Sequence, residues 1–374
     1  MRSFSKERQG ASQYRYRRKI IMKFSVLEKN LISQLEDRIR DTTPGVMVRA
    51  YQGGRIICDV SVGNTYAYYD FASVTKVIFT QQAMMYAYEL GKWSFDTKVS
   101  EFLPWFPSKE TKITELLTHS SGLPWWMPFY QEINQNLSRE KRRDQLREII
   151  QGLKLEKSET AVYSDVGFLV LGYVLEVIFE KPLLDVWVDI KNKFYAGTTL
   201  EFHADNKTST KASLFAPTEE CPVRKKLVQG EVHDLNCWSL GGVSTHAGLF
   251  GSIDDLGWYS LHLRSQLLGI ARYSIRQKTA QLFAKRALPE GKGDWAMGYM
   301  MPTPGSASCG SYFSLDSIGH TGFTGTSIWY DPKMDMSVNI LSNRVLYGSE
   351  NKAFAKLRSE IHNWIVENYR RSGV

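Results

Sequence analysis

The period of the hydrophobic pattern changes along this 374-residue chain, and that change limits the folds open to it. Val26 to Ile39 places apolar residues at 26, 27, 31, 32, 35 and 39, which is one face of a helix. Gly45 to Ala50 and Arg55 to Val62 flank Gly53-Gly54 and read as a β-hairpin. Val74 to Leu90 and Val166 to Ile178 then predict long apolar helices. Asp96 to Phe102, Ile113 to Thr118 and Glu140 to Leu153 predict shorter ones, and 181–240 reads as mixed and loop-rich. Asp254 to Leu268 and Ser274 to Phe283 return to helical spacing. From Trp295 onward the pattern predicts strands at Ala296 to Met300, Asp316 to Gly319, Thr326 to Asp331 and Met336 to Asn343, then a closing helix from Asn351 to Tyr369. Strand signals thus sit near both ends and helices fill the middle. The economical fold is α+β: both chain ends form one antiparallel sheet flanked by helices, with a mostly helical lobe inserted. The boundaries expected are about 24–90 and 295–374 for the sheet lobe and about 91–294 for the helical lobe, a single catalytic domain over 24–374. A cleft between lobes is the expected place for a site.

Charge narrows the function classes. The net charge is +8, but residues 1–23 contain eight of the 47 Lys and Arg residues and one acid, leaving 39 basic against 38 acidic residues elsewhere. A nucleic-acid enzyme needs a basic face on its folded body, so no nucleic-acid partner is expected, and 1–23 reads as a solvated, disordered tail. No apolar run of signal-peptide length follows these basic residues, and Ile20-Ile21-Met22 is too short. The expectation is a cytoplasmic protein without a transmembrane segment, for which Met22 is a second candidate start. Cys58, Cys221, Cys237 and Cys309 lack CxxC spacing, and the seven histidines form no HxxxH or HxH pair, so neither a metal nor a cofactor is expected.

Three short segments carry chemistry. Phe71-Ala72-Ser73-Val74-Thr75-Lys76 puts a lysine one helical turn after a serine, on the same face. A serine hydroxyl becomes a nucleophile when a base takes its proton, and a lysine is such a base when burial lowers its pKa. Alone, the spacing also describes a serine N-cap followed by a solvated lysine. Tyr163-Ser164-Asp165 precedes the apolar helix from Val166: the phenol of Tyr163 is a proton relay and Asp165 a partner for Lys76 or a substrate amide, or else the two are packing and cap. His320-Thr321-Gly322-Phe323-Thr324-Gly325 reads as a strand edge closed by a glycine turn, where glycine lets backbone approach a substrate.

In this order the segments resemble the SxxK, Tyr-x-Asn and Lys-Thr-Gly signature of the serine β-lactamase and penicillin-binding-protein superfamily. The likeness is greatest to its class C β-lactamase and esterase branch. Leu116 to Pro124 (LLTHSSGLP), Val232-His233-Asp234, Leu240 to Val243 and His246 to Phe250 fit the same branch, and the likeness covers roughly residues 24–370. It implies Ser73 as acylated nucleophile, Lys76 as base, Tyr163 as proton shuttle and the N–H groups of Ser73 and Phe323 as oxyanion hole. Asp165, His320, Thr321 and Gly322 would then contact substrate. Two positions depart from the signature: Asp165 stands for asparagine and His320 for lysine. Neutral imidazole offers a substrate carboxylate no fixed charge. The implied activity is therefore that of a serine hydrolase on small esters, amides or peptides, of carboxylesterase or D-amino-acid-peptidase kind. A β-lactamase or penicillin-binding protein with weak β-lactam turnover is the alternative, and a non-catalytic peptide-binding module the reading of another class. His119 and His246 read as structural hydrogen-bonders, Trp125, Trp126 and Met127 as cleft rim or packing, and Arg344 as a surface residue or a contact for a substrate carboxylate.

Overall fold

The computed structural model describes residues 25–270 and 275–371. The basic segment 1–23 and Met22 lie outside the described residues. In chain order the helices are α1 Val26–Ile39, α2 Gln82–Glu89, α3 Val99–Phe102, α4 Ile113–Leu117, α5 Arg139–Gln151, α6 Asp165–Phe179, α7 Leu183–Phe194, α8 Leu235–Ser239, α9 Ile253–Leu267, α10 Gln277–Ala284 and α11 Ala353–Arg371. The strands are β1 Gly45–Gln52, β2 Arg55–Gly63, β3 Tyr69–Asp70, β4 Glu201–Phe202, β5 Glu220–Cys221, β6 Lys226–Leu227, β7 Leu249–Gly251, β8 Ile318–Thr321, β9 Ser327–Asp331 and β10 Met336–Ser342.

The main sheet has the order β2-β1-β10-β9-β8 and is antiparallel throughout, so the N-terminal hairpin joins the C-terminal strands directly. Alternation along β9 and β10 sends Trp329, Val338 and Ile340 to one face, where Leu27, Leu31 and Leu35 of α1 and Phe354, Leu357 and Ile361 of α11 cover them. Ile328, Tyr330 and Leu341 face the other way, against Leu256, Tyr259 and Leu263 of α9. Helix α1 is fixed at its start by a capping box between Ser25 and Glu28, and Glu28 also accepts from the Asp59 N–H on the edge strand β2. Helix α6 is apolar on nearly all sides and is buried accordingly, capped by Ser164, which accepts from Gly167 N.

Three stretches differ from the sequence expectation. Ala296 to Met300 is a tight turn: Ala296 N bonds Tyr299 O, Gly298 has φ of +85°, and the pairing at this stretch is the isolated bridges Trp295–Met300 and Met300–Gly319. The glycine conformation, unavailable to a straight strand, reverses the chain. The region read as loop-rich contains α7, whose buried Leu183, Val186, Trp187, Ile190 and Phe194 carry a clear helical period behind Pro182. The strand expected from Asp316 begins at Ile318, because the preceding segment is held as a turn, with Ser314 bonding Asp331 through both its N–H and its hydroxyl. No helix among the described residues is long and apolar enough to cross a membrane, and all four cysteines are buried and free.

Candidate active site

The chain reaches Ser73 through a strained turn. Strand β3 pairs with β7, which fixes Tyr69 and Asp70 beside Gly251 and Phe250. Ala72 then takes φ of +47°, a conformation costly for any residue with a Cβ. Buried Asp70 holds it there: its carboxylate accepts from Ala72 N at 2.8 Å and from His233 N at 2.6 Å. After the 3-10 turn Ala72–Val74 the chain does not enter a regular α-helix. Lys76–Gln81 forms a wide π-type turn before α2, a distortion found mostly at functional sites.

Lys76 is fully buried, and three acceptors surround its amine: Ser73 Oγ at 2.9 Å, Asp165 Oδ1 at 2.6 Å and the His246 carbonyl oxygen at 2.9 Å. An ammonium satisfies all three. A neutral amine donates to Asp165 and His246 and turns its lone pair to Ser73, so one geometry accommodates both protonation states. Burial lowers the Lys76 pKa, while the Asp165 carboxylate acts in the opposite direction. Tyr163 donates from its hydroxyl to Ser73 Oγ at 2.9 Å, and burial, aided by Asp165, pushes its phenol well above the ordinary value. Of the two neighbours of Ser73, then, the amine is the one poised to be a base and the phenol the one held protonated.

The third segment is stapled to the first. Thr324 Oγ1 bonds the Asp70 carbonyl at 2.8 Å and Thr326 Oγ1 the Phe71 carbonyl at 2.9 Å. A Cβ on Gly322 would stand 2.5 Å from the Phe71 oxygen, so only glycine lets the two backbones approach this closely. The Phe323 side chain projects outward, 51% exposed, against the rings of His233 at 5.6 Å and under the Arg344 guanidinium at 4.8 Å. Thr321 Oγ1 faces the Met300 sulfur. His320 is buried, its Nδ1 bonded to the Thr321 carbonyl, and burial together with the Lys76 charge brings its pKa down to about 3. It is neutral at any ordinary pH, so acidification within the working range does not supply the cation that lysine would.

The fold brings Ser73, Lys76, Tyr163 and Asp165 to one point, with Gly322 and His320 alongside. His119 lies behind Tyr163, its Nδ1 accepting from Ser164 N at 3.0 Å and its ring between Tyr163, Phe168 and Trp295. His246 bonds Asp234 Oδ1 through Nε2 and the Ser244 hydroxyl through Nδ1, which fixes the carbonyl that receives Lys76. Burial would raise the Asp234 pKa, but the His246 imidazole and the Cys237 N–H outweigh it and hold it below the usual carboxylate range. Asp70 and Trp295 escape a motif reading, and Asp234 lies inside the Val232-His233-Asp234 stretch without a role assigned to it there. The available signals were an acid inside the apolar run Tyr69–Phe71 and the Asp234 that follows Val232-His233. Trp125 is exposed and belongs to a pocket of about 340 Å³ shared with His119 and Val162, next to the Tyr163 stack.

Comparison with known proteins bears on the family and the fold. A family model described as Beta-lactamase matches residues 30–360. The chain is 28% identical to an N-acetylmuramyl-L-alanine amidase of Bacillus subtilis (strain 168), in an alignment that covers 86% of this chain and 82% of the relative. Among solved structures it resembles EstCE1, a hydrolase with promiscuous acyltransferase activity, at a TM-score of 0.68 and 20% identity over 89% of this chain and 97% of that one. It also resembles a class C β-lactamase from Rhodobacter sphaeroides, at a TM-score of 0.66 and 19% identity over 91% and 99%. At these identities the structural likenesses speak for the fold.

Proposed function

This chain belongs to the β-lactamase family and is a serine hydrolase, and from that premise we propose that it cleaves esters or amides through an acyl-enzyme on Ser73. The observation that carries the reading is the placement of Ser73 Oγ between Lys76 Nζ and the Tyr163 hydroxyl, 2.9 Å from each. Neutral Lys76 takes the serine proton as Oγ bonds to the substrate carbonyl carbon. The carbonyl oxygen becomes an oxyanion facing the N–H groups of Ser73 and Phe323. Collapse breaks the bond to the leaving group, which takes the Tyr163 proton, and the Lys76 ammonium restores that proton. Water then repeats the sequence on the acyl-enzyme, releasing the acid and free Ser73. Asp165 orients Lys76, while His320, Thr321 and Gly322 line the strand edge offered to substrate. The catalytic unit is the single domain over 24–374, its sheet lobe drawn from 24–90 and 295–374 and its helical lobe from 91–294.

The name of the Bacillus relative supports an amide substrate of peptide kind. Neutral His320 supports slow β-lactam turnover, since it gives a β-lactam carboxylate no fixed charge. The test is intact-mass spectrometry after a fluorophosphonate, with kcat/KM for p-nitrophenyl acetate and a chromogenic cephalosporin. The expected result is one covalent adduct lost in Ser73→Ala and a higher kcat/KM for the ester. An adduct that persists in Ser73→Ala removes the nucleophile assignment, and a higher kcat/KM for the cephalosporin removes the preference.

A further inference from the structure

We infer that Arg358, on the C-terminal helix behind the glycine turn, is a positioning residue that strengthens the oxyanion-binding N–H of Phe323 through the carbonyl of the same peptide group. The inference rests on the assignment of Ser73 and the Phe323 N–H made above. Gly322 O and Phe323 N belong to one conjugated peptide unit. That oxygen accepts twice, from Gly325 N at 3.1 Å and from Arg358 Nη2 at 3.3 Å. Donors at the oxygen draw electron density from the nitrogen and make its N–H a better donor, the cooperative effect of linked hydrogen bonds in a low-dielectric interior.

The setting of Arg358 indicates that its charge serves this turn. The residue is 7% exposed, and its Nε is buried without a hydrogen-bond partner. Among the described residues neither it nor Arg344 makes an ion pair within 4 Å. The other charge acting on Arg358 is that of Arg344, a second cation. The Phe354 ring lies 5.6 Å from the guanidinium, and the Arg358 carbonyl is bonded to His362 Nδ1. A buried cation without a carboxylate is costly to keep for stability alone, whereas a cation behind an oxyanion donor gains value as negative charge develops in front of it. Arg344 adds a second positive charge on the Phe323 side. The site thus has neutral His320 where a lysine would face the substrate, and two arginines around the turn that receives the oxyanion.

The test compares Arg358→Met, Arg358→Lys and the parent for kcat and KM on p-nitrophenyl acetate, the rate of fluorophosphonate labelling, and Tm. Arg358→Met is expected to lower kcat and the labelling rate about three- to thirtyfold, with KM within about twofold and Tm unchanged or higher, because an uncompensated buried charge has gone. Arg358→Lys, which keeps the charge, should recover most of the rate. If the methionine variant does not fold, Arg358→Gln tests the charge alone, since it keeps a donor without the charge, and is expected to show part of the same loss in kcat and labelling rate. Parental kcat in the neutral variant overturns the inference. So does a loss in kcat that Arg358→Lys shares in full, or one matched by a falling Tm, for then Arg358 is packing. Labelling that persists in Ser73→Ala overturns the site assignment instead, so the two failures are distinct.

Discussion

Gly322→Ala tests whether close approach of two backbones organises the site. The new Cβ would lie 2.5 Å from the Phe71 carbonyl oxygen and also against the Thr326 hydroxyl. The hydroxyl can rotate, but the carbonyl cannot yield. It accepts from Val74 N and Thr326 Oγ1, and Phe71 N is bonded to Leu249 O. Relief therefore comes from the glycine turn, which must retreat by roughly 1 Å, a misplacement worth about 10²-fold in rate. Loss of one oxyanion donor costs about 10²–10³ in kcat, or ~2.7–4 kcal/mol of transition-state stabilisation. The ground state does not use that donor fully, so KM should change little. The overpacking itself should cost about 1–3 kcal/mol of stability. The assay is kcat and KM for p-nitrophenyl acetate, with Tm measured in parallel. Gly322→Ala combined with Thr326→Ala should stay slow, because only the flexible contact is relieved. A kcat within threefold of the parent in the single variant would refute the reasoning, and recovery in the double variant would move the cause from Phe71 to the hydroxyl.

Asp165→Asn should shift the ascending limb of the pH profile of kcat/KM to lower pH, because the carboxylate raises the Lys76 pKa against the lowering effect of burial. An unchanged limb, or one moved to higher pH, would show that Lys76 does not set it. Asp70→Ala frees the N–H groups of Ala72 and His233. It should lower kcat by about 10-fold or more and stability by about 1–3 kcal/mol, and parental kcat would count against a role for the strained turn. Stability should fall with acid: burial lowers His320 to about 3 and His262 and His362 to about 4. The unfolded chain takes up these protons near pH 6.5 and the folded chain does not, so each histidine withdraws about 1.4 kcal/mol per pH unit below 6.5 until its folded value is reached. Thermal melts should give a steady Tm from pH 8 to 7 and a steep decline from 6.5 to 4.5; a Tm that is flat to 4.5 would contradict the buried, neutral state of these rings.

Some of this was legible in the sequence because it depends on near neighbours. The spacing of Ser73 and Lys76 places one over the other across a single turn, and strand patterns at both chain ends made a sheet drawn from both the economical fold. The helices expected from Val26 and Val166 begin in the structure at Val26 and Asp165, although the cap of the second is Ser164 and not Asp165. The period alone did not foretell the π-type turn at Lys76, or the reversal at Gly298 inside an apolar run. Only the tertiary structure decided the electrostatics. Asp165, 89 residues from Lys76, and the His246 carbonyl, 170 residues away, complete the shell of its amine. His320 is neutral because remote segments exclude water from it, and Arg358 meets Gly322 across 36 residues because α11 packs on the sheet. Spacing along a chain fixes which side chains share a local face. Desolvation, which sets the protonation of Lys76, Tyr163 and His320, depends on everything folded around them, and no local pattern records it.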